Sequence, residues 1–162
     1  MFGFGIPIGS HMTPAEPYYL DLTDHTPYDP ERARALLAEA GYPQGFTATL
    51  ALPAPYEYAR RAGEVVAEQL RQVGIQLRLE IVEWTTWLAR IFNQAEYDMT
   101  IIGHVEPLDI GIYGNPNYYF RYDSPVVQEL LNQVTATFDE GARAQLYGQI
   151  QRQIADDAVN VF

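Results

Sequence analysis

The feature that most constrains the fold is a regular alternation of strand and helix patterns through the middle of the chain. Residues 75–82 alternate apolar and polar side chains with the two-residue period of a strand, and residues 46–52 show the same period. Between them, residues 57–73 carry apolar side chains at helical spacing and stop before Gly74. Strands separated by a helix of this length form parallel pairs, so this order predicts an α/β fold in which crossover helices pack against a sheet.

The same patterns continue in both directions along the chain. They predict, in order, a helix at 30–40, a strand at 46–52, a helix at 57–73, a strand at 75–82, a helix from Thr85 or Thr86 to Asn93, a strand at 97–103, and helices at 125–137 and 139–155. The side chains expected to point inward are Ile75, Leu77, Leu79 and Ile81 of the clearest strand, and Trp87, Leu88, Ile91 and Phe92 of the helix that follows. Trp84 is also expected in the core.

The first predicted helix has a start and a stop signal. Asp29 suits the N-cap, Pro30 suits the first helical position, and Glu31 complements the positive end of the helix dipole. Gly41 is expected to close the helix in a left-handed conformation, and Pro43 prevents the helix from restarting. The predicted buried stripe of this helix is Ala33, Leu36, Leu37 and Ala40.

The two ends of the chain differ from its middle. Residues 1–27 contain many prolines and glycines with little periodicity, which predicts an extended segment that leads into the fold. Residues 28–162 are then expected to form a single α/β lobe. The last residues, 156–162, look like the start of another strand, so we expect the lobe to be a truncated domain of a longer chain.

The composition excludes several classes of protein. The chain has 162 residues, 48% of them hydrophobic, which indicates a globular fold. A net charge of -11 argues against nucleic-acid binding, which depends on clustered cations. Because cysteine is absent, disulfides, thiolate metal sites and cysteine nucleophiles are excluded.

Several motifs in a fixed order resemble one family of transport proteins. The phrase YDPERARALLAEAGYPQGF, at residues 28–46, is followed by a strand and then by QLRQVGI at 69–75 and by Trp84. A Tyr97-Asp98 pair and an apolar strand that ends at Gly103 come next. The closing pattern is carried by Asp139, Arg143, Leu146, Tyr147, Gln151 and Ile154. Together these motifs closely resemble substrate-binding proteins of ABC importers, in the peptide and nickel class (family 5 extracellular solute-binding proteins).

This resemblance implies a fold and a function. The chain would be the C-terminal lobe of a periplasmic-binding-protein type II-like protein, whose two lobes close on a ligand. The complete protein would capture a small solute in the periplasm or outside the cell and deliver it to an ABC permease in the membrane. Such a protein is not an enzyme, needs no cofactor and is expected to work as a monomer. The isolated lobe is expected to bind its ligand poorly, because the second wall of the site is missing.

The predicted ligand contacts lie in the loop that follows the third strand, where open α/β sheets usually bind ligands. His104, Glu106 and Asp109 are the polar candidates in this loop. The aromatic candidates, which could stack on a ligand, are Tyr113, Tyr118 and Tyr119. Residues 104–123 as a whole show almost no periodicity, and a loop of that length in a compact domain is usually functional.

The resemblance also indicates what the ligand is not. Dipeptide binders of the family tend to have a tryptophan after the glycine, an aspartate three residues later, and an arginine before the Pro-Tyr that follows the first strand. Here these places hold His104, Pro107 and Ala54. A longer peptide, or a non-peptide solute such as an opine or a sugar-like compound, is therefore favoured over a dipeptide.

Two other functions remain open from the residues alone. His104, Glu106 and Asp109 could form a His/carboxylate metal site of an enzyme, although the zinc-deaminase pattern that His104-Val105-Glu106 resembles also needs cysteines. Alternatively, the tyrosine-rich loop could be the surface of a protein-interaction module.

Overall fold

The computed structural model describes residues 5–162. Its helices are α1 (Pro30–Glu39), α2 (Glu57–Gln72), α3 (Trp84–Thr86), α4 (Pro125–Ala136) and α5 (Glu140–Asp156), and its strands are β1 (Phe46–Pro53), β2 (Ile75–Val82) and β3 (Met99–Thr100). A π-helix, Trp87–Asn93, continues α3, and a 3-10 helix spans Asp109–Gly114. The first four residues of the predicted leading segment lie outside the described range. Within that range, none of the helices is both long enough and apolar enough to cross a membrane.

The chain folds as two compact units. Unit 1 combines Met1–Pro27 with Val105–Phe162, and unit 2 is Tyr28–His104. All three strands belong to unit 2, whereas α4 and α5 belong to unit 1. The sequence-based division into a leading segment at 1–27 and one lobe at 28–162 stays a prediction.

A three-stranded parallel sheet with the order β2-β1-β3 forms the centre of unit 2. β1 and β2 pair along their whole length, beginning with Phe46 opposite Ile75. β3 pairs with the middle of β1, where Leu50 lies opposite Met99. Because α2 crosses from the end of β1 to the start of β2, this sheet confirms the predicted α/β architecture.

Two glycines allow β1 and β2 to begin side by side. Gly45 and Gly74 directly precede the two strands, and their φ angles are +70° and +100°. A Cβ atom added to Gly45 would lie 1.9 Å from the carbonyl oxygen of Gly74. The backbones therefore approach so closely that position 45 has no room for any side chain, and both conformations favour glycine.

The predicted inward face of β2 is only partly buried. α2 meets the sheet at Gly63, where an added Cβ would lie 2.8 Å from a methyl group of Leu52 in the central strand. The parallel register places Leu79 and Ile81 on this same face, yet they are 41% and 61% exposed. The prediction that they point into the core is wrong, because β2 is an edge strand with a neighbouring strand on one side only.

α1 confirms the predicted caps but not the predicted burial. Asp29 accepts a hydrogen bond from the Arg32 amide at 2.8 Å, and Gly41 has a φ of +89°. No residue of α1 is buried, and Leu36 is exposed. The caps form because they need only neighbouring residues, whereas a buried stripe needs a surface to pack on.

The helix that follows β2 begins earlier than predicted, and most of it is a π-helix. It starts at Trp84 rather than after Thr85 or Thr86, and it becomes a π-helix from Trp87 onward. Trp87 and Ile91 are buried, whereas Phe92 is exposed. Phe92 was expected inside on a 3.6-residue period, but a π-helix has more residues per turn and directs it elsewhere.

The third strand is much shorter than the predicted 97–103. Before β3 begins, the Asp98 carboxylate accepts a hydrogen bond from the Thr49 amide of β1 at 2.8 Å. After β3 ends, the Gly103 amide donates to the Tyr58 hydroxyl at 2.9 Å. Side-chain acceptors thus replace strand pairing at both ends, which local sequence periodicity cannot reveal.

Unit 1 is built from α4, α5, the 3-10 helix and the leading segment. Ser124 caps α4 by accepting from the Val127 amide, and Asp139 caps α5 by accepting from the Ala142 amide at 2.7 Å. The buried apolar core consists of Met12, Ile110, Tyr113, Val127, Val134, Tyr147, Ile150 and Ile154. α5 ends at Asp156, and residues 157–162 form no strand, so the expected strand start at 156–162 is wrong.

The closing motif explains why the leading segment belongs to unit 1. The Arg143 guanidinium lies 5.9 Å from the centre of the Tyr18 ring, and the Tyr147 ring stacks on Tyr18 at 4.4 Å. The Gln151 amide donates to the Tyr18 carbonyl at 2.8 Å. Residues 5–27 form neither helix nor strand, but Met12 and Leu22 are buried. The motif residues therefore hold an otherwise irregular segment in place.

Candidate functional site

The strand order of unit 2 marks one edge of its sheet as a candidate site. β1 connects through α2 to β2 on one side, whereas β3 lies on the other side of β1. The carboxyl ends of β1 and β3 therefore flank a topological switch point, where open α/β sheets generally bind ligands. Two segments leave the sheet there, one after Pro53 and one after Thr100.

A hydrogen bond joins these two segments. The Gly103 amide, shortly after β3, donates to the hydroxyl oxygen of Tyr58 at 2.9 Å. Tyr58 lies in the first turn of α2, shortly after β1, and is 50% exposed. His104, the next residue along the chain and the last of unit 2, is exposed. The predicted contact His104 is thus placed at the carboxyl edge of the sheet, as the sequence suggests.

Three aromatic side chains line the same edge of unit 2, and we call Tyr56, Tyr58 and Trp84 the aromatic edge. The Tyr56 ring lies 5.5 Å from the Trp84 ring at an angle of 89° and 5.6 Å from the Tyr58 ring. Trp84 stacks on Trp87 at 5.0 Å. Trp87 is buried as expected, and its indole N–H donates to Thr100 at 3.0 Å, but Trp84 is only half-buried.

The aromatic edge is not among the ligand contacts predicted from the sequence. Trp84 was expected in the core, and the tyrosines had no assigned role. A signal was nevertheless available, because each of the three residues closely follows the end of a predicted strand. In a parallel sheet, side chains in that position gather at one edge.

In unit 1, Glu106 and Asp109 lie near Tyr118. Burial is the main cause of the raised pKa of Tyr118, and the negative charges of Asp109 and Glu106 raise that pKa further. Glu106 is exposed, and Tyr118 is half-buried. Three of the six predicted contacts are therefore close enough to one another to interact electrostatically.

Asp109 is already engaged by another side chain of unit 1. It opens the 3-10 helix, and its carboxylate is hydrogen-bonded to Nε2 of His11. The Nδ1 atom of His11 in turn contacts the Tyr113 hydroxyl at 3.2 Å. The leading segment also holds this loop through Glu16, which accepts from the Leu108 amide at 3.0 Å. The loop predicted to be without structure is thus folded and anchored.

The other two predicted contacts lie in the interior of unit 1. Tyr113 is fully buried, its hydroxyl accepts from the Asn160 side chain at 2.8 Å, and its ring stacks on Phe120 at 4.9 Å. Burial raises the pKa of Tyr113. Tyr119 is also buried. Both rings were expected on a ligand-facing loop. The structure corrects this position, because both rings pack against other aromatic residues and are buried.

The chain matches a known family and known structures. The family model described as bacterial extracellular solute-binding proteins, family 5 Middle, matches residues 1–126. The dipeptide-binding protein of Escherichia coli (strain K12) is 30% identical over 161 residues, which cover 87% of this chain and 29% of that protein.

Two solved structures share the fold. One is the periplasmic binding protein AgaA from A. tumefaciens R10 in complex with agropinic acid, with a TM-score of 0.86, 24% identity and coverage of 99% of this chain and 35% of that one. The other is the binding protein DppA from Helicobacter pylori in complex with the peptide STSA. Its TM-score is 0.86 and its identity 23%, and the match covers 99% of this chain and 33% of that one. The chain spans about a third of the length of these relatives. Since the family model covers most of the chain, the protein belongs to the bacterial extracellular solute-binding proteins of family 5.

Proposed function

We propose that this chain is part of a substrate-binding protein that captures a peptide-like or other small solute and delivers it to an ABC transporter. The observation that carries the proposal is the aromatic edge of unit 2, which lies where parallel sheets bind ligands. Partly exposed aromatic rings at such an edge can stack on a solute. The role is binding without catalysis, in the periplasm or outside the cell, as a monomer that docks on the membrane permease.

In unit 2 we propose Tyr56, Trp84 and His104 as solute contacts. The two rings are half-buried, so each keeps part of its surface accessible while its position is fixed by packing. His104 is exposed and can either donate or accept a hydrogen bond. Ala54 stands where dipeptide binders of the family tend to have an arginine, which favours a longer peptide, an opine or a sugar-like solute.

In unit 1 we propose Glu106, Asp109 and Tyr118 as solute contacts. Their carboxylates can accept hydrogen bonds from amino, amide or hydroxyl groups of a solute. Tyr113 and Tyr119 support this loop from the interior and do not touch the solute themselves. The His11 contact of Asp109 fixes its carboxylate before a solute arrives.

We further propose that residues 28–162 form one lobe of a two-lobed protein. Only a solute that bridges both lobes well would shift the balance from the open to the closed form, and the closed form would dock on the permease. The isolated chain should therefore bind more weakly than the full-length protein. If the chain alone binds as tightly as the full-length protein, this part of the proposal is wrong.

The first test uses the full-length protein, purified gently and examined by native mass spectrometry. We expect a bound small solute, and we expect its removal to lower the melting temperature and its return to restore it. The variant Tyr56→Ala should weaken binding on the order of tenfold. The control Tyr42→Ala removes a tyrosine that precedes β1, at the opposite end of the strand, and should leave binding unchanged.

Other outcomes of this test favour the alternative functions. A bound zinc or iron found by elemental analysis, and lost in His104→Ala, would indicate a metal-dependent enzyme. The absence of both solute and metal, together with a stable macromolecular partner, would indicate an interaction module.

A further inference from the structure

We infer that Tyr58 determines specificity in the proposed solute site, with its oxygen held by the Gly103 amide and its O–H donating to a neutral acceptor group of the solute. This inference rests on the proposed function.

The position of the hydroxyl follows from the strand order. Tyr58 follows β1, and Gly103 follows β3, so the 2.9 Å hydrogen bond between them connects the two chain segments that flank the switch point. Ala51 of β1 and Thr100 of β3 are opposite each other in the sheet, close to where the two segments depart. The hydroxyl therefore lies at the carboxyl edge itself.

The direction of the bond leaves the hydroxyl proton unused. A backbone amide can only donate, so the Tyr58 oxygen accepts from Gly103 and its own hydrogen is not part of this bond. Among the described residues, the hydroxyl makes no other hydrogen bond. Because Tyr58 is 50% exposed, that hydrogen can reach a solute. Accepting a hydrogen bond also polarises the O–H and makes it a better donor.

Neighbouring residues fix the position of the Tyr58 hydroxyl before a solute binds. A Cβ atom added to Gly103 would lie 3.1 Å from the Tyr58 oxygen, so a residue other than glycine would crowd the hydroxyl. The Tyr58 ring also packs against Tyr56, with 5.6 Å between ring centres. A group that is already oriented loses less entropy when a ligand binds, which favours recognition.

The charge of the edge indicates which acceptor it fits. The segments that end there, residues 54–58, 83–84 and 103–104, contain Glu57 and Glu83 but neither lysine nor arginine. Arg61, one turn further along α2, is ion-paired with Glu57, so a solute carboxylate would find no cationic partner in these segments and would meet the negative charge of Glu83. A neutral acceptor, such as an amide carbonyl, a hydroxyl or a ring oxygen, would meet no such repulsion.

The test compares Tyr58→Phe with Tyr42→Phe in the full-length protein. Both variants remove one hydroxyl from a tyrosine of unit 2 of similar exposure, 50% for Tyr58 and 52% for Tyr42. The probe is an ultrafiltrate of yeast extract, which supplies peptides, sugars and nucleosides, and native mass spectrometry identifies what the protein retains. We expect Tyr58→Phe to weaken binding of the retained solute roughly fivefold to tenfold, and Tyr42→Phe to leave it unchanged.

A comparison of Gly103→Ala in the wild-type and Tyr58→Phe backgrounds separates a role of Tyr58 in binding from a purely structural role. Gly103→Ala should weaken binding in the wild-type background by crowding the hydroxyl, but should add little in the Tyr58→Phe background. The melting temperature of the solute-free protein should change little in Tyr58→Phe, because the exposed Gly103 amide can bond to water instead.

Each outcome is decisive. If the wild type retains a solute and Tyr58→Phe binds it equally well, the inference is overturned and the proposed function stands. If the retained solute has no neutral acceptor, the assigned chemical class is wrong. If the wild type retains nothing from the extract, the proposed function fails, and the inference fails with it.

Discussion

Gln151 accepts a hydrogen bond from the Ser10 hydroxyl at 2.9 Å, which joins two buried polar side chains that are 141 residues apart in the sequence. The same Gln151 oxygen accepts from the Leu20 amide at 3.2 Å. Its nitrogen donates to the carbonyls of Tyr18 at 2.8 Å and Tyr147 at 3.1 Å. Both donors and both acceptor positions of the amide are therefore used, and this one side chain secures the leading segment to α5.

We expect Gln151→Ala to lower the free energy of unfolding by about 3 kcal/mol, because several partly buried backbone groups lose their partners. Ser10→Ala removes only one of these bonds and should cost about 1 kcal/mol. Urea denaturation followed by far-ultraviolet circular dichroism measures both changes. Equal costs for the two variants would show that the backbone contacts of Gln151 contribute little.

Unit 1 should lose stability in alkaline solution because of Tyr122. Burial, followed by a hydrogen bond to Asp157, raises the pKa of Tyr122 from 10.0 to about 12. The folded state thus holds the proton more tightly than the unfolded state. This stabilisation is complete below pH 10 and is lost as the pH rises through about 12. Denaturation measured from pH 8 to about 12 should show stability that falls above pH 10, and the fall should be smaller in Tyr122→Phe. A pH dependence identical to that of the wild type would contradict this assignment.

Gly45→Ala should be strongly destabilising, by more than about 2 kcal/mol. The added methyl group would lie 1.9 Å from the Gly74 carbonyl, and the φ angle of +70° is also unfavourable for alanine. Gly41→Ala is the matched control, since its φ is +89° but nothing lies within 4 Å of an added Cβ. Thermal denaturation of both variants should show the larger loss at position 45. A loss of the same size at both positions would mean that the strand starts can separate without cost.

Gly148→Ala should stabilise the protein by about 1 kcal/mol. Gly148 lies inside α5, and an added Cβ would have no neighbour within 4 Å. Alanine has a higher helix propensity than glycine, and its methyl group would clash with nothing at this position. Gly63→Ala is the contrasting variant, because Gly63 is also inside a helix but its added Cβ would lie 2.8 Å from buried Leu52. We expect Gly63→Ala to destabilise the protein, and a stabilising effect there would show that Leu52 can move aside.

Part of the candidate site was predictable from the sequence, and part was not. The location of His104 after the third strand followed from the strand and helix order, because parallel strands bring such segments to one edge. The bond between Tyr58 and Gly103 could not be predicted, because it depends on the distance between two segments that are far apart in the chain. The burial of Tyr113 was missed for the same reason, since its hydroxyl contacts Asn160 and His11, which are 47 and 102 positions away in the sequence.

The sequence by itself determined the elements whose causes are local. The cap at Asp29, the turn at Gly41 and the full extent of β2 depend on residues a few positions apart, and all three were predicted. Only the tertiary structure decided which faces are buried and which polar groups meet. The exposure of Leu79 and Ile81 depends on the position of β2 at the edge of the sheet, and the ends of β3 depend on hydrogen bonds to Thr49 and Tyr58, which are distant in the sequence. Local periodicity records the preference of each residue, but contacts between distant segments exist only once the whole chain has folded.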